Sequence, residues 1–266
     1  MVIKLGIIGG GVMAEALLSR LVQRSVYAPE QVWVSEPSAP RRDELMRLYG
    51  VQTTADNQAV TAAAELLLLA IKPQVFDAVV AGLTPTLPSQ LVVSILAGVP
   101  IAKLEAPFPG QPVIRAMPNT PAIAGAGITA IAPGQQVQPE HIALARTLFE
   151  AVGDVVEIPE HLMDAVTGLS GSGPGYIALV VEALTDGGVA VGLPRAIASK
   201  LAVQTVLGTG ELLHSTGLHP AELKDRVTSP GGTTIAGIAH LEQAGIRSAF
   251  IEAVRAAYLR AGELGR

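Results

Sequence analysis

The chain has 266 residues, 49% hydrophobic and 15% charged, which excludes an intrinsically disordered protein and leaves room for one large or two medium domains. A formal net charge of −5 with only 3% aromatic residues argues against a nucleic-acid partner, which calls for a basic surface and stacking rings. There is no cysteine, hence no disulfide framework, thiol catalyst or thiolate metal site, a composition consistent with the cytoplasm.

In chain order, a strand is predicted over Val2–Ile8, a glycine turn over Gly9-Gly10-Gly11 and a helix over Met13–Arg24. Ala14-Glu15-Ala16 superficially resembles a signal-peptidase site, but Lys4 is the only early positive side chain and three glycines interrupt the apolar run, so no signal peptide is expected. Strands follow at Val32–Val34, Leu66–Ile71, Leu91–Ile95, Val113–Ala116 and Ile128–Ile131, with a helix at Pro40–Tyr49. Most of these strands are continuously apolar rather than alternating, as in a parallel sheet covered on both faces. A helix at His141–Val152 and a last strand at Val155–Ile158 end at Pro159. The rhythm is that of a doubly wound α/β domain over residues 1–160.

After Pro159 the texture becomes helical, with helices predicted at Ile177–Val191, Arg195–Leu213, Ala221–Val227, Thr233–Gln243 and Arg247–Leu264. Residues 161–266 are therefore expected to form a smaller all-α domain. Ile177–Val191 is apolar almost all the way round and has to be buried on most sides, which a small helical domain cannot do alone; a subunit interface is inferred. The most apolar stretches, Ala62–Ile71 and Tyr176–Leu193, are broken by Glu65, and by Glu182 and Asp186. Neither reaches the ~18 uninterrupted apolar residues of a membrane span.

Among candidate sites, Gly9-x-Gly11-x-x-Ala14 between a strand and a helix has the form of a dinucleotide fingerprint. Gly9 permits the tight turn, Gly11 the close approach of a pyrophosphate, and Ala14 tight helix–strand packing; the helix start then offers N–H groups and a positive dipole to the anion. Glu36 lies 25 positions beyond Gly11, where a carboxylate accepts hydrogen bonds from a ribose 2′-hydroxyl and repels a 2′-phosphate. Arg41 and Arg42 follow it, either as phosphate ligands or as solvated side chains, so the residues leave NADH against NADPH open. Ala70-Ile71-Lys72-Pro73 and Ser94-Ile95-Leu96-Ala97-Gly98 end strands on the face where such sheets bind ligands. In Thr228-Ser229-Pro230-Gly231-Gly232-Thr233-Thr234, Ser229 reads as a helix N-cap with Pro230 in the first turn, a start able to hold a carboxylate. Ser170-Gly171-Ser172-Gly173-Pro174-Gly175 lacks the lysine of a phosphate loop. The five histidines show no metal-ligand spacing, and no metal is expected.

Taken together, these segments resemble the pyrroline-5-carboxylate reductase family over essentially the whole chain. The most specific match is Leu223-Lys224-Asp225-Arg226-Val227-Thr228-Ser229-Pro230-Gly231-Gly232-Thr233-Thr234-Ile235-Ala236-Gly237, joined by Asp164–Pro174, Val113–Pro121 and Ala70–Pro73. The resemblance implies a Rossmann domain followed by an all-helical dimerisation domain, a homo-oligomer of at least two chains, and reduction of 1-pyrroline-5-carboxylate to L-proline with NADPH or NADH. It implies cofactor contacts at Gly9, Gly10, Gly11, Val12, Met13, Ser35, Glu36, Asn57, Ala70, Ile71, Lys72, Pro73, Ala97, Gly98 and Asn119. It places the substrate carboxylate at Ser229, Gly231, Gly232, Thr233 and Thr234, with the Thr234 hydroxyl at the ring nitrogen as the catalytic group. Glu36 and Arg226 stand where some family members carry serine and asparagine, which bears on cofactor preference. The alternatives are a 3-hydroxyacid dehydrogenase using a lysine acid, with Lys200 or Lys224 as candidates, and a nucleotide-binding protein without catalysis.

Overall fold

The computed structural model describes residues 3–85, 87 and 90–264. Two compact units emerge, one of residues 1–172 with 256–266 and the other of residues 173–255. The first is built on eight strands: β1 (Ile3–Ile8), β2 (Val32–Ser35), β3 (Gln52–Thr54), β4 (Ala64–Leu69), β5 (Leu91–Ser94), β6 (Val113–Met117), β7 (Gly127–Pro133) and β8 (Gly153–Glu157). They lie in the order β3-β2-β1-β4-β5-β6-β7-β8. Val2, predicted to open the first strand, lies outside the described residues.

The apolar strand runs are explained by burial on both sides. Along β4, Leu66 and Leu68 face one core with Leu17, Leu18 and Leu21 of α1 (Val12–Gln23) and Leu45 of α2 (Ala39–Tyr49). Leu67 and Leu69 face the opposite core, with Val60 of α3 (Asn57–Ala63), Phe76 and Val80 of α4 (Phe76–Val80) and Leu104 of α5 (Ile101–Glu105). The period of two along each strand thus feeds two helix layers. Leu148 and Phe149 of α6 (Pro139–Glu150) complete the first layer.

One expectation is corrected. The Ile128–Ile131 run reads as another parallel strand, but β7 pairs antiparallel with β6, Ala116 lying opposite Ile131. Residues 118–126 are too few for a crossover helix, so the chain has to turn back. Beyond β8, α7 (Met163–Val166) runs into a π-helical turn at Thr167–Gly171, and Met163 packs with Ile101, Ala130 and Ala132.

The remaining helices are α8 (Gly173–Ala190), α9 (Arg195–Thr216), α10 (Pro220–Arg226), α11 (Thr233–Gln243) and α12 (Ile246–Leu264). α8 and α9 pack where small residues allow it: a Cβ at Gly188 would lie 3.0 Å from the Ala198 Cβ. Within one chain the apolar face of this pair stays open, with Leu179 64%, Leu207 62% and Val191 83% exposed. The burial that the sequence demands for Ile177–Val191 is not supplied by its own chain. No helix among the described residues is long and apolar enough to cross a membrane.

Candidate active site

The strand order reverses between β1 and β4, where doubly wound sheets open a crevice at the carboxyl ends of the strands. The glycine turn sits there. Gly9 has φ +100°, and a Cβ on it would lie 2.8 Å from the Ala70 carbonyl oxygen, so no side chain is tolerated. Its N–H donates to the Ser35 carbonyl (2.7 Å), while the Ala70 N–H donates to Ile8 (2.9 Å) and the Ile95 N–H to Leu69 (3.1 Å). These bonds bring the turns after β1, β2, β4 and β5 to one rim.

Gly11 is the N-cap of α1 and receives no side-chain cap. Glu15 N–H already bonds the Gly11 carbonyl (2.9 Å), which leaves the amides of Val12, Met13 and Ala14 without an intrahelical acceptor. A Cβ placed on Gly11 would meet nothing within 4 Å. Open space above uncapped amides at the positive end of a helix fits a pyrophosphate.

Around that turn the structure builds a charged network that sequence reading overlooked. The Glu36 carboxylate accepts from the Gly10 N–H (2.9 Å) and the Ser38 N–H (3.0 Å). The Arg41 guanidinium donates through Nε to the Gly10 carbonyl (2.8 Å), and its other nitrogens bond the carboxylates of Glu15 and Glu44. The Tyr49 hydroxyl donates to the second Glu15 oxygen (2.8 Å). The hydrogen bond from Arg41 holds Glu15 below the usual carboxylate range. Burial, and then Glu15, push the Tyr49 hydroxyl up to about 12, so it remains a donor at neutral pH. Arg42 bonds the carbonyls of Glu36 (2.7 Å) and Pro37 (2.8 Å); neither arginine is the freely solvated side chain of one sequence alternative. The hint in the sequence was Glu15 one helical turn past Gly11.

The Ser35 hydroxyl is bonded to the Asn57 side-chain oxygen. Lys72 is exposed at the start of the short turn Pro73–Val75. Pro73, Ala97 and Gly98 line a cleft of about 390 Å³ with Val99, Pro100, Lys103 and Leu264. Asn119 stands apart: its amide oxygen accepts from the Ile128 N–H (3.0 Å) and its nitrogen donates to the Ser170 carbonyl (3.2 Å). Its side chain fastens the turn after β6 to the π-helical segment. Nearby, Arg115 is buried between Glu160 (3.4 Å) and Asp164 (3.3 Å).

In the second unit the Ser229–Thr234 loop departs from the sequence reading. The N-cap of α11 is Gly232, not Ser229. Ser229 to Gly232 form a turn closed by the Gly232 N–H on the Ser229 carbonyl (3.0 Å), with Gly231 at φ +69°. Proline followed by a left-handed glycine is the signature of a type II turn; the helix begins at Thr233, as its predicted bounds have it, and its cap lies three residues beyond Ser229. Thr233 and Thr234 thus occupy the first two helical positions, where their amides have no intrahelical acceptor. Gly232 brings no side-chain cap, so the start is free for an anion. Lys224, one candidate acid of the alternative reading, is paired with Asp225 (3.2 Å).

The chain is 60% identical over its whole length, and over the whole of the relative, to the pyrroline-5-carboxylate reductase of Synechocystis. It belongs to the pyrroline-5-carboxylate reductase family. The family's dimerisation profile matches residues 160–264, and a profile described as coenzyme F420-dependent NADP oxidoreductase matches residues 4–98. The Methanosarcina acetivorans reductase is 45% identical, covering 99% of this chain and 98% of the relative. Among solved structures, the Coxiella burnetii pyrroline-5-carboxylate reductase superposes with a TM-score of 0.91 at 34% identity, covering both chains fully. The Plasmodium falciparum enzyme, determined with NADP bound, gives 0.90 at 30% identity, covering 99% of this chain and 98% of that one.

Proposed function

We propose that this protein reduces the C=N bond of 1-pyrroline-5-carboxylate to give L-proline, the last step of proline biosynthesis. The observation that carries the reading is full-length identity of 60% to a reductase of that name, joined to two uncapped helix starts, at Gly11 and Gly232, in the two units. A bound nicotinamide supplies the hydride.

The chain's own residues divide the remaining tasks. The amides of Val12, Met13 and Ala14 hold the pyrophosphate, and the turns at Ser35–Glu36, Ala70–Pro73 and Ala97–Gly98 line the rest of the dinucleotide. The amides of Thr233 and Thr234 and the Ser229 hydroxyl hold the substrate carboxylate. The imine nitrogen takes its proton from water before reaction, so hydride addition to the adjacent carbon gives the neutral ring amine, while the Thr234 hydroxyl orients that nitrogen by hydrogen bonding. An unactivated hydroxyl has too high a pKa for a conventional general acid, so its role is positioning and transition-state hydrogen bonding. Asn119 acts from behind, by fixing the loop after β6. The unit of residues 1–172 with 256–266 serves the cofactor, and residues 173–255 the substrate carboxylate and the assembly of at least a dimer. A cytoplasmic location belongs to the same reading.

NADH is the favoured cofactor in this proposal, because a carboxylate at the end of the second strand, Glu36, repels a 2′-phosphate. Turnover of 1-pyrroline-5-carboxylate with NADH and NADPH in parallel, beside a panel of 3-hydroxyacids, tests the whole reading. Activity confined to the hydroxyacids would transfer the protein to another reaction class, and no activity at all would leave a nucleotide binder.

A further inference from the structure

We infer that Arg41 is a positioning residue for the dinucleotide loop and not a ligand of the cofactor's 2′-phosphate. This rests on the reading of the β1–α1 turn as the cofactor site. An arginine a few residues past the second strand has the sequence position of a phosphate ligand, yet its three nitrogens are already engaged. Nε holds the Gly10 carbonyl at 2.8 Å, and the two terminal nitrogens hold Glu15 and Glu44. Two carboxylates against one guanidinium leave no net positive charge at this spot for an added phosphate. The guanidinium is also only about one-fifth exposed, with Tyr49 bracing Glu15 from the other side.

What this geometry accomplishes is a grip on the two peptide units that flank the Gly10 Cα. The Glu36 carboxylate takes the Gly10 N–H and Arg41 takes the Gly10 carbonyl. The carbonyl of Gly10 and the N–H of Gly11 belong to the same planar peptide unit and point in opposite directions. Holding the carbonyl therefore fixes the direction in which the Gly11 N–H points. A glycine pair would otherwise sample many orientations and lose that freedom when the cofactor binds. Arg41 removes much of that loss in advance, and does so equally for NADH and NADPH.

Calorimetric titration of the full-length protein with NADH and with NADPH, without substrate, tests the assignment. Arg41→Ala is expected to weaken both by about tenfold, the scale of one charge-assisted hydrogen bond, with their ratio changed less than twofold. At saturating NADH, kcat should stay within twofold while KM for NADH rises. Loss of NADPH affinity alone, or no loss with either, overturns the proposal. Should the alanine variant fail to fold, Arg41→Lys decides: it keeps the charge that a phosphate ligand needs but not the three-way fork. Comparable weakening with both cofactors supports positioning, and wild-type affinity for both refutes it. Glu15→Gln gives opposite signs under the two roles. Loosening the fork should weaken both cofactors, whereas a phosphate ligand set free would tighten NADPH selectively. Because binding is read without substrate, a protein that failed to reduce 1-pyrroline-5-carboxylate would still give an answer about Arg41.

Discussion

At the scale of single residues, two side chains carry the proposal. Thr234 occupies the second position of α11, beyond a glycine N-cap that offers no competing side chain. Loss of one positioned hydrogen-bond group costs about 2–3 kcal/mol of transition-state stabilisation. Thr234→Ala is expected to lower kcat/KM by roughly 30- to 150-fold with cofactor affinity almost unchanged. Near-normal turnover, or equal damage to cofactor binding, would remove Thr234 from the mechanism; Thr233→Ala, which keeps the backbone amide, should hurt less. Glu36 has two tasks, since it holds the amides of Gly10 and Ser38 besides facing the ribose in the proposal. Glu36→Ser should therefore lower kcat/KM with NADH and raise the NADPH-to-NADH ratio of specificity constants. An unchanged ratio in that comparison would mean that the carboxylate serves only the loop.

The elements show which parts of the site could be read from the residues. β1, the glycine turn and α1 were legible because a continuous apolar run, three glycines and a helical period coincide there. β3 was not: Gln52-Thr53-Thr54 has no apolar side chain and is a strand because Trp33, Val34 and Ser35 of β2 lie alongside it. The direction of β7 was hidden because pairing sense depends on the connection, not on the strand's own residues. The bounds of α11, Thr233–Gln243, were legible, but its cap was not: Ser229 and Pro230 satisfy a helix-start rule, while Gly231 makes the same residues a turn. The Arg41 network was invisible for a related reason: its partners Glu15, Glu44 and Gly10 come from two elements and a loop. The turn before α11 can be tested directly. Gly231→Ala forces a Cβ into φ +69°, at a cost of about 1–2 kcal/mol. Substrate KM should rise severalfold and cofactor affinity should not move; an unchanged KM would show that this turn does not shape the carboxylate site.

For the whole molecule, the exposed apolar face of α8 and α9 is the surface on which the proposed dimer rests. Fully burying one Leu side chain is worth about 2 kcal/mol, so covering several is a term on the order of 10 kcal/mol. The match to the family's dimerisation profile over residues 160–264 supports a second copy of the chain as the cover for that face. Leu179→Asp with Leu207→Asp is expected to shift the protein to monomer in sedimentation velocity and to abolish activity. A fully active monomer at low concentration would contradict the need for a partner.

The division of the chain into units has a consequence for the order in which it folds. Residues 256–266 return to the unit that begins at the N-terminus; within it Ala261 is buried and Leu264 lines the cleft with Ala97 and Gly98. The first unit is thus discontinuous in sequence, its two segments separated by residues 173–255. Joining them closes a long loop, whose entropy cost is paid before the contact rewards it, so this contact forms more slowly than the local pairings of the sheet. The Ala97–Gly98 rim therefore acquires its Leu264 wall after the strands around it have assembled.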